Sequence, residues 1–317
     1  MNYILMLVGF GLLIKGADLF VTGSSNIATL LRVPPILIGL TIVAFGTSSP
    51  EATVSIIAAL EGSSDVALGN VIGSNIFNIT LVIGLTAFIN PLKVESETIR
   101  KEIPFALLAS VVLLVLVSDV ALQTVGSNLI TRADGIIILL FFAVFLYYIF
   151  EVVRKSRKIT TVEQQTSNET WGKNVFFTIL GLGAIIFGGD LVVKNSTEIA
   201  YAFGMSETLV GLTIVAIGTS LPELVTSITA ALKKQSEIAL GNIIGSNIFN
   251  ILFVLGTTAV ITPLAVSSKI FIDIFLMIAF TILLLIFSRT RFVVGKYEGI
   301  MLASAYVLYL IFIIMRN

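Results

Sequence analysis

The sequence predicts an all-α polytopic membrane protein, built from ten transmembrane helices that form two inverted five-helix repeats. Three observations support this fold class. Of the 317 residues, 56% are hydrophobic and 12% are charged, whereas water-soluble domains carry roughly 25% charged residues. The apolar residues form ten stretches of about 20 residues, the length that crosses the hydrocarbon core. Finally, the polar motifs of the first half recur at a constant offset in the second half.

The ten predicted spans fall into two groups of five. They are expected at residues 2–23, 34–60, 66–90, 103–121, 132–151, 173–194, 207–232, 238–262, 270–288 and 296–315. The stretch from Met1 to Gly16 lacks a basic start and a small-residue cleavage site, so we expect it to begin the first span rather than to form a signal peptide. We predict a first repeat over 1–151, a polar cytoplasmic linker over 152–172 and a second repeat over 173–317.

Basic residues indicate how the spans are oriented. Fourteen Lys and Arg residues lie in the loops that follow the odd-numbered spans, the linker included, whereas four lie on the opposite side. Cytoplasmic loops are enriched in Lys and Arg. We therefore expect a multi-pass protein of the cell (plasma) membrane, with both termini outside the cytoplasm and the central linker inside it.

Composition excludes several functional classes. The chain contains neither Cys nor His, so thiolate and imidazole metal sites, histidine proton relays and Ser-His catalysis are impossible. Acidic and basic residues balance at 19 each, and nothing supports nucleic-acid binding. An intramembrane aspartyl protease is typified by a GxGD motif, whereas Asp190 follows Phe187, Gly188 and Gly189. We therefore do not expect an enzyme.

The internal repeat is the most specific signal in the sequence. Residues 39–51 read GLTIVAFGTSSPE and residues 211–223 read GLTIVAIGTSLPE; residues 67–79 read ALGNVIGSNIFNI and residues 239–251 read ALGNIIGSNIFNI. The offset is 172 in both cases. Since each half has an odd number of spans, the second half must insert upside down relative to the first. Inverted repeats place a substrate site near the membrane midplane on interrupted helices, so the repeat predicts a carrier that opens alternately to two sides.

The first motif of each repeat places a glutamate directly after a proline. Pro50 has no N–H and its ring crowds the carbonyl of Gly46, and Pro222 repeats this in the second copy. Such breaks occur at membrane depth where the backbone is buried in protein or lines a polar cavity. A charge at the bilayer centre costs roughly 2.5–3.5 kcal/mol. Glu51 and Glu223, at matched positions, therefore predict a cation site.

Other polar side chains are spaced so that they can share a helix face with each other or with a glutamate. They are Thr47, Ser48, Ser74, Asn78, Ser246 and Asn250. This set offers carboxylate, amide and hydroxyl oxygens, and the breaks add carbonyl oxygens. Oxygen ligands suit Na⁺, Ca²⁺, Mg²⁺ or Mn²⁺ and disfavour zinc and copper. The two glutamates carry a charge of −2, which Ca²⁺ balances, while Mg²⁺ is disfavoured by its strict octahedral geometry.

Further polar residues of the spans have structural interpretations. Four asparagines are expected to bond neighbouring backbone and shape the helix breaks rather than bind an ion: Asn70, Asn75, Asn242 and Asn247. Asp18 and Asp190 each have a lysine within one turn, Lys15 and Lys194, so we expect local ion pairs. Asp273 lies at a span end, where we expect a solvated cap.

The two motif pairs resemble a known family. The GTSSPE and GTSLPE segments, each followed by GN-x-IGSNIFN, resemble the two α-repeats of the Ca²⁺/cation antiporter superfamily, and the nearest branch is that of prokaryotic Na⁺/Ca²⁺ exchangers. The resemblance covers both halves and nearly all ten spans. It implies that spans two, three, seven and eight form a compact core, across which the long first and sixth helices slide.

The resemblance also implies roles for individual residues. Glu51 and Glu223 would bind Ca²⁺ centrally, and Asn78 and Asn250 would complete a diamond of ligands. Flanking Na⁺ sites would be lined by the backbone carbonyls of Ala44 and Ala216 and by Thr47, Ser48, Ser74, Thr219, Ser220 and Ser246. The implied partners are the transported Ca²⁺ and Na⁺ ions and the lipid bilayer, with no cofactor. We expect the monomer to be functional.

The expected function is secondary antiport, in which Na⁺ entry drives electrogenic Ca²⁺ extrusion. H⁺/Ca²⁺ antiport is the alternative. The proton-coupled branch has an acidic residue soon after the GN pair, where this chain has Ile72, Gly73 and Ser74. The K⁺-dependent branch carries Asp at the position of Asn250, which disfavours K⁺ co-transport here. A passive cation channel is a further alternative that inverted repeats with broken helices disfavour.

Overall fold

The computed structural model describes residues 1–122, 126–159, 170–204 and 216–316. The helices of the first half are α1 (Asn2–Leu31), α2 (Pro35–Thr47), α3 (Ser49–Leu60), α4 (Ser64–Ile89), α5 (Glu102–Leu116) and α6 (Arg132–Ile159). Those of the second half are α7 (Trp171–Ala202), α8 (Ala216–Thr219), α9 (Leu221–Leu232), α10 (Ser236–Ile261), α11 (Ser268–Arg291) and α12 (Lys296–Arg316). Two short helices, Ser96–Arg100 and Asp119–Leu122, lie in connections.

Length and apolar composition confirm the predicted all-α polytopic membrane fold. In the described part of the chain, seven helices are long and apolar enough to cross a membrane, and α2 with α3 makes an eighth span that is bent by 45°. The seven helices are α1, α4, α6, α7, α10, α11 and α12. The two other predicted spans correspond to α5, with 15 residues, and to α9, with 12. Residues 205–215, which precede α8 and α9, lie outside the described residues.

Helices α1 and α7 are longer than predicted, with 30 and 32 residues. The prediction ended the first span at residue 23, where polar residues begin. The helix continues because those side chains bond within the protein: the Asn26 amide donates to Oδ1 of Asn174, at the start of α7, over 3.0 Å. Helix α1 ends instead at Leu31, and the next residue, Arg32, adopts a left-handed conformation with φ 58° shortly before the proline pair that opens α2.

Glycines allow α1 and α7 to pack against each other along their length in antiparallel directions. A Cβ atom added to Gly16 would lie 2.8 Å from the carbonyl oxygen of Gly181, and one added to Gly188 would lie 2.8 Å from that of Gly9. No side chain fits in these gaps. Small residues at such interfaces let membrane helices approach closely, where packing rather than the hydrophobic effect drives association.

Helix α10 lies at the centre of the molecule and contacts the first repeat directly. A Cβ atom added to Gly241 would lie 2.5 Å from the carbonyl oxygen of Ile36, and one added to Gly245 would lie 2.7 Å from Cα of Leu40. The spacing of these two glycines, four residues apart, therefore allows α10 to approach α2 closely. The matching Gly69 and Gly73 of α4 have no described atom within 4 Å of an added Cβ. The second-repeat equivalents of the α2 residues, 208–215, lie outside the described part.

Four two-residue strands join loops that are distant in sequence. Strand β1 (Leu92–Lys93) pairs antiparallel with β4 (Val293–Val294), and β2 (Leu129–Ile130) pairs antiparallel with β3 (Leu264–Ala265). The first pair joins the connections after the third and ninth spans, and the second pair joins those after the fourth and eighth. Loops after odd-numbered spans thus meet one another, as do loops after even-numbered spans, as two oppositely inserted repeats require.

The polar stretch over 152–172 is partly helical. Helix α6 continues through Ile159 and α7 begins at Trp171, while residues 160–169 lie outside the described ranges. The polar residues next to each span therefore extend its helix beyond the apolar stretch from which the span was predicted.

The structure confirms the ion pair predicted for Asp190 and corrects the one predicted for Asp18. Lys194 pairs with Asp190 on the same helix, with Nζ 2.9 Å from Oδ2. Asp18 pairs with Lys233 at 2.7 Å rather than with Lys15, because α1 lies against the end of α9. The Lys233 ammonium also donates to the Asp18 carbonyl oxygen over 2.7 Å.

Asp273 is not the solvated cap that was predicted. It is 5% exposed, and its Oδ2 lies 2.9 Å from Nη2 of Arg316 while its Oδ1 lies 3.1 Å from Nη1. The prediction was wrong because the partner is near the end of α12, 43 residues further along the chain. The Arg316 guanidinium therefore supplies the hydrogen bonds that water would supply to a carboxylate exposed at the end of a span.

Candidate ion-binding site

Each repeat positions its glutamate at the start of a helix that follows a break. Ser48 joins α2 to α3 with φ −84° and ψ 7°, and Ser220 joins α8 to α9 with φ −93° and ψ 7°. The proline in the first turn costs no hydrogen bond, since N–H groups there have no partner within the helix. Glu51 and Glu223 are the third residues of α3 and α9. A helix N-terminus stabilises a carboxylate, because the helix dipole is positive there.

Serines hold the two glutamates in reciprocal fashion across the repeats. The Ser48 hydroxyl donates to Oε1 of Glu223 over 2.8 Å, and the Ser220 hydroxyl donates to Oε1 of Glu51 over 2.9 Å. Both glutamates are fully buried. Each carboxylate therefore receives its shortest serine hydrogen bond from the repeat to which it does not belong, and the site lies where the two repeats meet.

The two remaining serine hydroxyls predicted for the site lie beside these carboxylates or beside the serines bonded to them. Ser246 donates to Oε1 of Glu223 over 3.4 Å, and Oγ of Ser74 lies 3.0 Å from Oγ of Ser220. The backbone carbonyl of Ala44 accepts the Ser48 N–H over 3.0 Å, and the Thr47 hydroxyl lies 3.4 Å from the same oxygen. Ala216, described by its backbone alone, is the first residue of α8.

The two threonines contact asparagines of the opposite repeat. The Thr47 hydroxyl lies 3.0 Å from Oδ1 of Asn242, and the Thr219 hydroxyl lies 3.3 Å from Oδ1 of Asn70. The Asn70 amide donates to the backbone carbonyl of Glu51 over 3.1 Å, which confirms that this asparagine bonds neighbouring backbone.

Two further serines, which were not among the predicted site residues, accept hydrogen bonds from the same asparagines. The Asn70 amide donates to Oγ of Ser55 over 2.9 Å, and the Asn242 amide donates to Oγ of Ser227 over 3.0 Å. Ser55 and Ser227 are related by the same 172-residue offset as the motifs. That offset is the signal by which they could have been found.

Asn78 and Asn250 lie one turn after Ser74 and Ser246 and begin segments of π-helix, Asn78–Val82 and Asn250–Leu255. The apolar pattern predicts neither these segments nor the one over Gly39–Val43 in α2. Single-turn π-helical bulges are rare and occur often at functional sites, where they turn side chains and carbonyls out of the regular helical register.

Four buried oxygen atoms of the site have no hydrogen-bond donor among the described residues. They are Oε2 of Glu51, Oε2 of Glu223, Oδ1 of Asn78 and Oδ1 of Asn250. A buried polar atom without a partner costs about 1–3 kcal/mol, and more when it is charged. Two matched pairs of such atoms, one member from each repeat, form a set of acceptors that a cation would satisfy.

The ligand chemistry of the site is mixed. In the ranges that the structure describes, no group of three or more His, Cys, Asp or Glu side chains lies together in a way that could hold a metal ion. The candidate site instead combines two carboxylates with amide and hydroxyl oxygens. It is therefore suited to a hard cation that accepts neutral oxygen ligands.

Comparison with known proteins identifies the family. The model of the family described as sodium/calcium exchanger protein matches residues 1–151 and 173–315. CaxA of Alkalimonas amylolytica is 42% identical over 96% of both chains. The sodium/calcium exchanger MaX1 of Methanosarcina acetivorans is 33% identical, with 98% of this chain and 97% of the relative covered.

Solved structures agree with these relatives. A structure of the sodium-calcium exchanger NCX_Mj soaked with Na⁺ and Sr²⁺ superposes with a TM-score of 0.82 at 31% identity, covering 97% of this chain and 96% of that one. The family that the repeated motifs predicted is thereby confirmed. The chain belongs to the sodium/calcium exchanger protein family of membrane transporters.

Proposed function

We propose that the chain is a secondary active antiporter that exchanges Na⁺ for Ca²⁺ by alternating access, with the site between the two repeats as its ion-binding site. The observation that supports this most strongly is the set of four buried acceptor oxygens without donors, on Glu51, Glu223, Asn78 and Asn250. Membership of the family and the names of MaX1 and NCX_Mj as sodium/calcium exchangers support the choice of ions.

The charge and the oxygen count of the site favour Ca²⁺ as the transported divalent ion. Two ionised glutamates carry −2, so a bound Ca²⁺ leaves the buried site neutral, and Asn78 and Asn250 add no charge. Ca²⁺ accepts six to eight oxygen ligands in flexible geometry, whereas Mg²⁺ requires near-ideal octahedral geometry and loses its waters reluctantly. The neighbouring hydroxyls provide further oxygens for the larger ion.

We place Na⁺ at sites that flank the central one and share its carboxylates. The proposed ligands are the carbonyls of Ala44 and Ala216 and the side chains of Thr47, Ser48, Ser74, Thr219, Ser220 and Ser246. Ser48 and Ser220 are bonded to the carboxylates of Glu223 and Glu51. Na⁺ bound at these hydroxyls would compete for the same carboxylate oxygens as Ca²⁺, so the ions would be exchanged rather than carried together.

Alternating access is proposed to involve a movement of α1 and α7 against the core. These two helices pack on each other through glycines, so they can move as one body. We place the protein in the cell membrane with both termini outside the cytoplasm, because most Lys and Arg residues lie in the loops after odd-numbered spans. Na⁺ entry would then drive Ca²⁺ out of the cell.

Proton coupling is the competing proposal, and the burial of the two glutamates is the feature that supports it. Glu51 and Glu223 are buried, and a proton could occupy each carboxylate in place of Na⁺. The two couplings differ in which gradient drives Ca²⁺, so the same vesicles separate them.

The test is ⁴⁵Ca²⁺ uptake by proteoliposomes loaded with Na⁺ and diluted into Na⁺-free buffer at equal pH. We expect uptake that requires the outward Na⁺ gradient and that is unchanged by a pH jump in its absence. If more than two Na⁺ move per Ca²⁺, a clamped potential changes the rate, at about 2.3 kcal/mol per charge per 100 mV. Uptake that follows the pH gradient alone would replace Na⁺ by H⁺, and fast flux without any counter-ion would indicate a channel.

A further inference from the structure

Two asparagines that are not in the proposed ligand set bond to the two that are. The Asn250 amide donates to Oδ1 of Asn75 over 3.3 Å, and the Asn78 amide donates to Oδ1 of Asn247 over 3.2 Å. All four side chains are buried. Each bond crosses between the repeats, so α4 fixes an amide of α10 and α10 fixes an amide of α4.

The supporting asparagines are themselves fixed in one orientation. The Asn75 amide donates to the backbone carbonyl of Asn247 over 3.4 Å, and the Asn247 amide donates to that of Asn75 over 3.5 Å. The Asn75 amide nitrogen also lies 3.6 Å from the sulfur of Met277. Because the NH₂ group of each is directed at a carbonyl oxygen, its Oδ1 is the atom presented to the ligand asparagine.

This arrangement matters because a side-chain amide has two different ends. One end accepts hydrogen bonds or binds a cation, while the other carries two N–H donors. If the Asn250 amide turned over, its Oδ1 would face Oδ1 of Asn75, and two acceptors would then oppose each other. Its NH₂ group would take the place where Oδ1 now lies without a hydrogen-bond donor. The bond to Asn75 therefore leaves Oδ1 of Asn250 without a donor and directed elsewhere. The same holds for Asn78 and Asn247.

We propose that Asn75 and Asn247 are positioning residues, which hold the amides of Asn250 and Asn78 with their oxygens available to the transported cation. This inference rests on the proposed function, since it requires Asn78 and Asn250 to be ligands. Each repeat then orients one amide ligand of the other, as Ser48 and Ser220 do for the carboxylates. The π-helical segments that begin at Asn78 and Asn250 place these amides at the crossing of α4 and α10.

A double-mutant cycle tests the proposal through the asymmetry of the amide. Asn75→Leu keeps the approximate size of the side chain but removes the acceptor for the Asn250 amide. Asn250→Asp replaces the amide by a carboxylate, whose two oxygens are equivalent, so that turning it over changes nothing. The readout is equilibrium binding of ⁴⁵Ca²⁺ to the purified full-length protein in detergent, with monodispersity and thermal stability as measures of folding.

We expect Asn75→Leu to weaken ⁴⁵Ca²⁺ binding by about 10- to 100-fold in the wild-type background, as loss of an outer-shell partner does at other metal sites. In the Asn250→Asp background the same substitution should change ⁴⁵Ca²⁺ binding by less than about threefold, which is about the deviation expected between two sites that do not interact. Asn78→Asp is the matched control, because Asn75 does not bond to Asn78. In that background Asn75→Leu should keep its full effect, and Asn247→Leu should lose its own.

Two results would overturn the proposal. If Asn75→Leu weakens binding equally in all three backgrounds, its effect is one of packing and the positioning role is wrong, although the site remains. If the wild-type protein binds no ⁴⁵Ca²⁺, the proposed function fails and the positioning role fails with it. Asn75→Ala, which also lacks the acceptor, is used in the same cycle if the leucine variant does not fold.

Discussion

The Ser48 hydroxyl donates a hydrogen bond of 2.8 Å to Oε1 of Glu223, so a residue of the first repeat orients a carboxylate of the second. In the matching bond, the Ser220 hydroxyl of the second repeat donates to Oε1 of Glu51 in the first repeat over 2.9 Å. With one oxygen of each glutamate engaged in this way, the other oxygen is left without a donor in the described structure. The ion-binding capacity proposed here therefore belongs to the interface of the repeats and to neither repeat alone.

Removal of the Ser48 hydroxyl should weaken Ca²⁺ binding. A hydrogen bond to a charged group contributes about 1.5–3 kcal/mol, so Ser48→Ala should raise the Ca²⁺ concentration for half-maximal transport by roughly 10- to 100-fold. Ser220→Ala should do the same. The control is Ser49→Ala, because the Ser49 hydroxyl donates to the Phe45 carbonyl of its own segment. The account is contradicted if Ser48→Ala and Ser49→Ala give the same half-maximal concentration.

Close packing of α1 on α7 should make Gly16 intolerant of a methyl group. A Cβ there would lie 2.8 Å from the Gly181 carbonyl oxygen and 2.9 Å from the Ile185 nitrogen. Overpacking costs about 1–3 kcal/mol, so Gly16→Ala should lower the thermal unfolding temperature in detergent. Gly11→Ala is the control, since no atom of a described residue lies within 4 Å of its added Cβ. Equal unfolding temperatures for the two variants would refute the packing argument.

The buried ion pair of Asp273 and Arg316 should matter more for stability than an exposed one. Their side chains are 7% and 18% exposed, and loss of one partner of a buried pair costs about 3–5 kcal/mol because the other charge stays buried. Asp273→Asn should therefore lower the unfolding temperature markedly. Asp190→Asn breaks the exposed pair with Lys194 and should cost about 0–1 kcal/mol. The reverse order of the two effects would count against the assigned pair.

A cross-link between α1 and α9 should stop transport if α1 moves against the core. Asp18 and Lys233 lie in contact, with 2.7 Å between Oδ1 and Nζ, and the chain has no native cysteine. In the double variant Asp18→Cys/Lys233→Cys, a short bis-methanethiosulfonate reagent, which forms a disulfide with each cysteine and releases methanesulfinate, should reduce ⁴⁵Ca²⁺ flux to background, and reductant should restore it. The pair Asp190→Cys/Lys194→Cys on α7 controls for the reagent. Full flux through the cross-linked Asp18/Lys233 protein would exclude sliding of α1 at this contact.

Much of the architecture could be predicted because a membrane-spanning helix requires a long apolar stretch, which is visible in the sequence. Long apolar stretches mark the helices, and the two copies of each motif mark the repeats. The proposal that Glu51 and Glu223 bind the cation also comes from the sequence, since a matched pair of charges in apolar helices requires a compensating partner. Their neighbours Ser48 and Ser220 follow from the same motif, although nothing in the sequence indicates that each serine bonds to the opposite glutamate.

Features that depend on contacts between distant residues could not be predicted. Asp18 pairs with Lys233 and Asp273 with Arg316, and no local pattern points to either partner. The π-helical segments at Asn78–Val82 and Asn250–Leu255 could not be predicted from the apolar pattern, which indicates a helix but does not distinguish π-helical from α-helical turns. The end of the first helix was also predicted too early from hydropathy. Polar side chains of its last turns form hydrogen bonds with another helix rather than with water.

The most direct test of the central claim is Na⁺-driven ⁴⁵Ca²⁺ uptake by proteoliposomes that contain Glu51→Gln or Glu223→Gln. Glutamine keeps the size of the side chain but removes one of the two buried charges proposed to hold Ca²⁺. We predict that each variant folds, as judged by monodispersity and thermal stability, and that its uptake falls to the level of protein-free liposomes. Wild-type uptake by either variant would contradict the assignment of these glutamates as the ion-binding carboxylates.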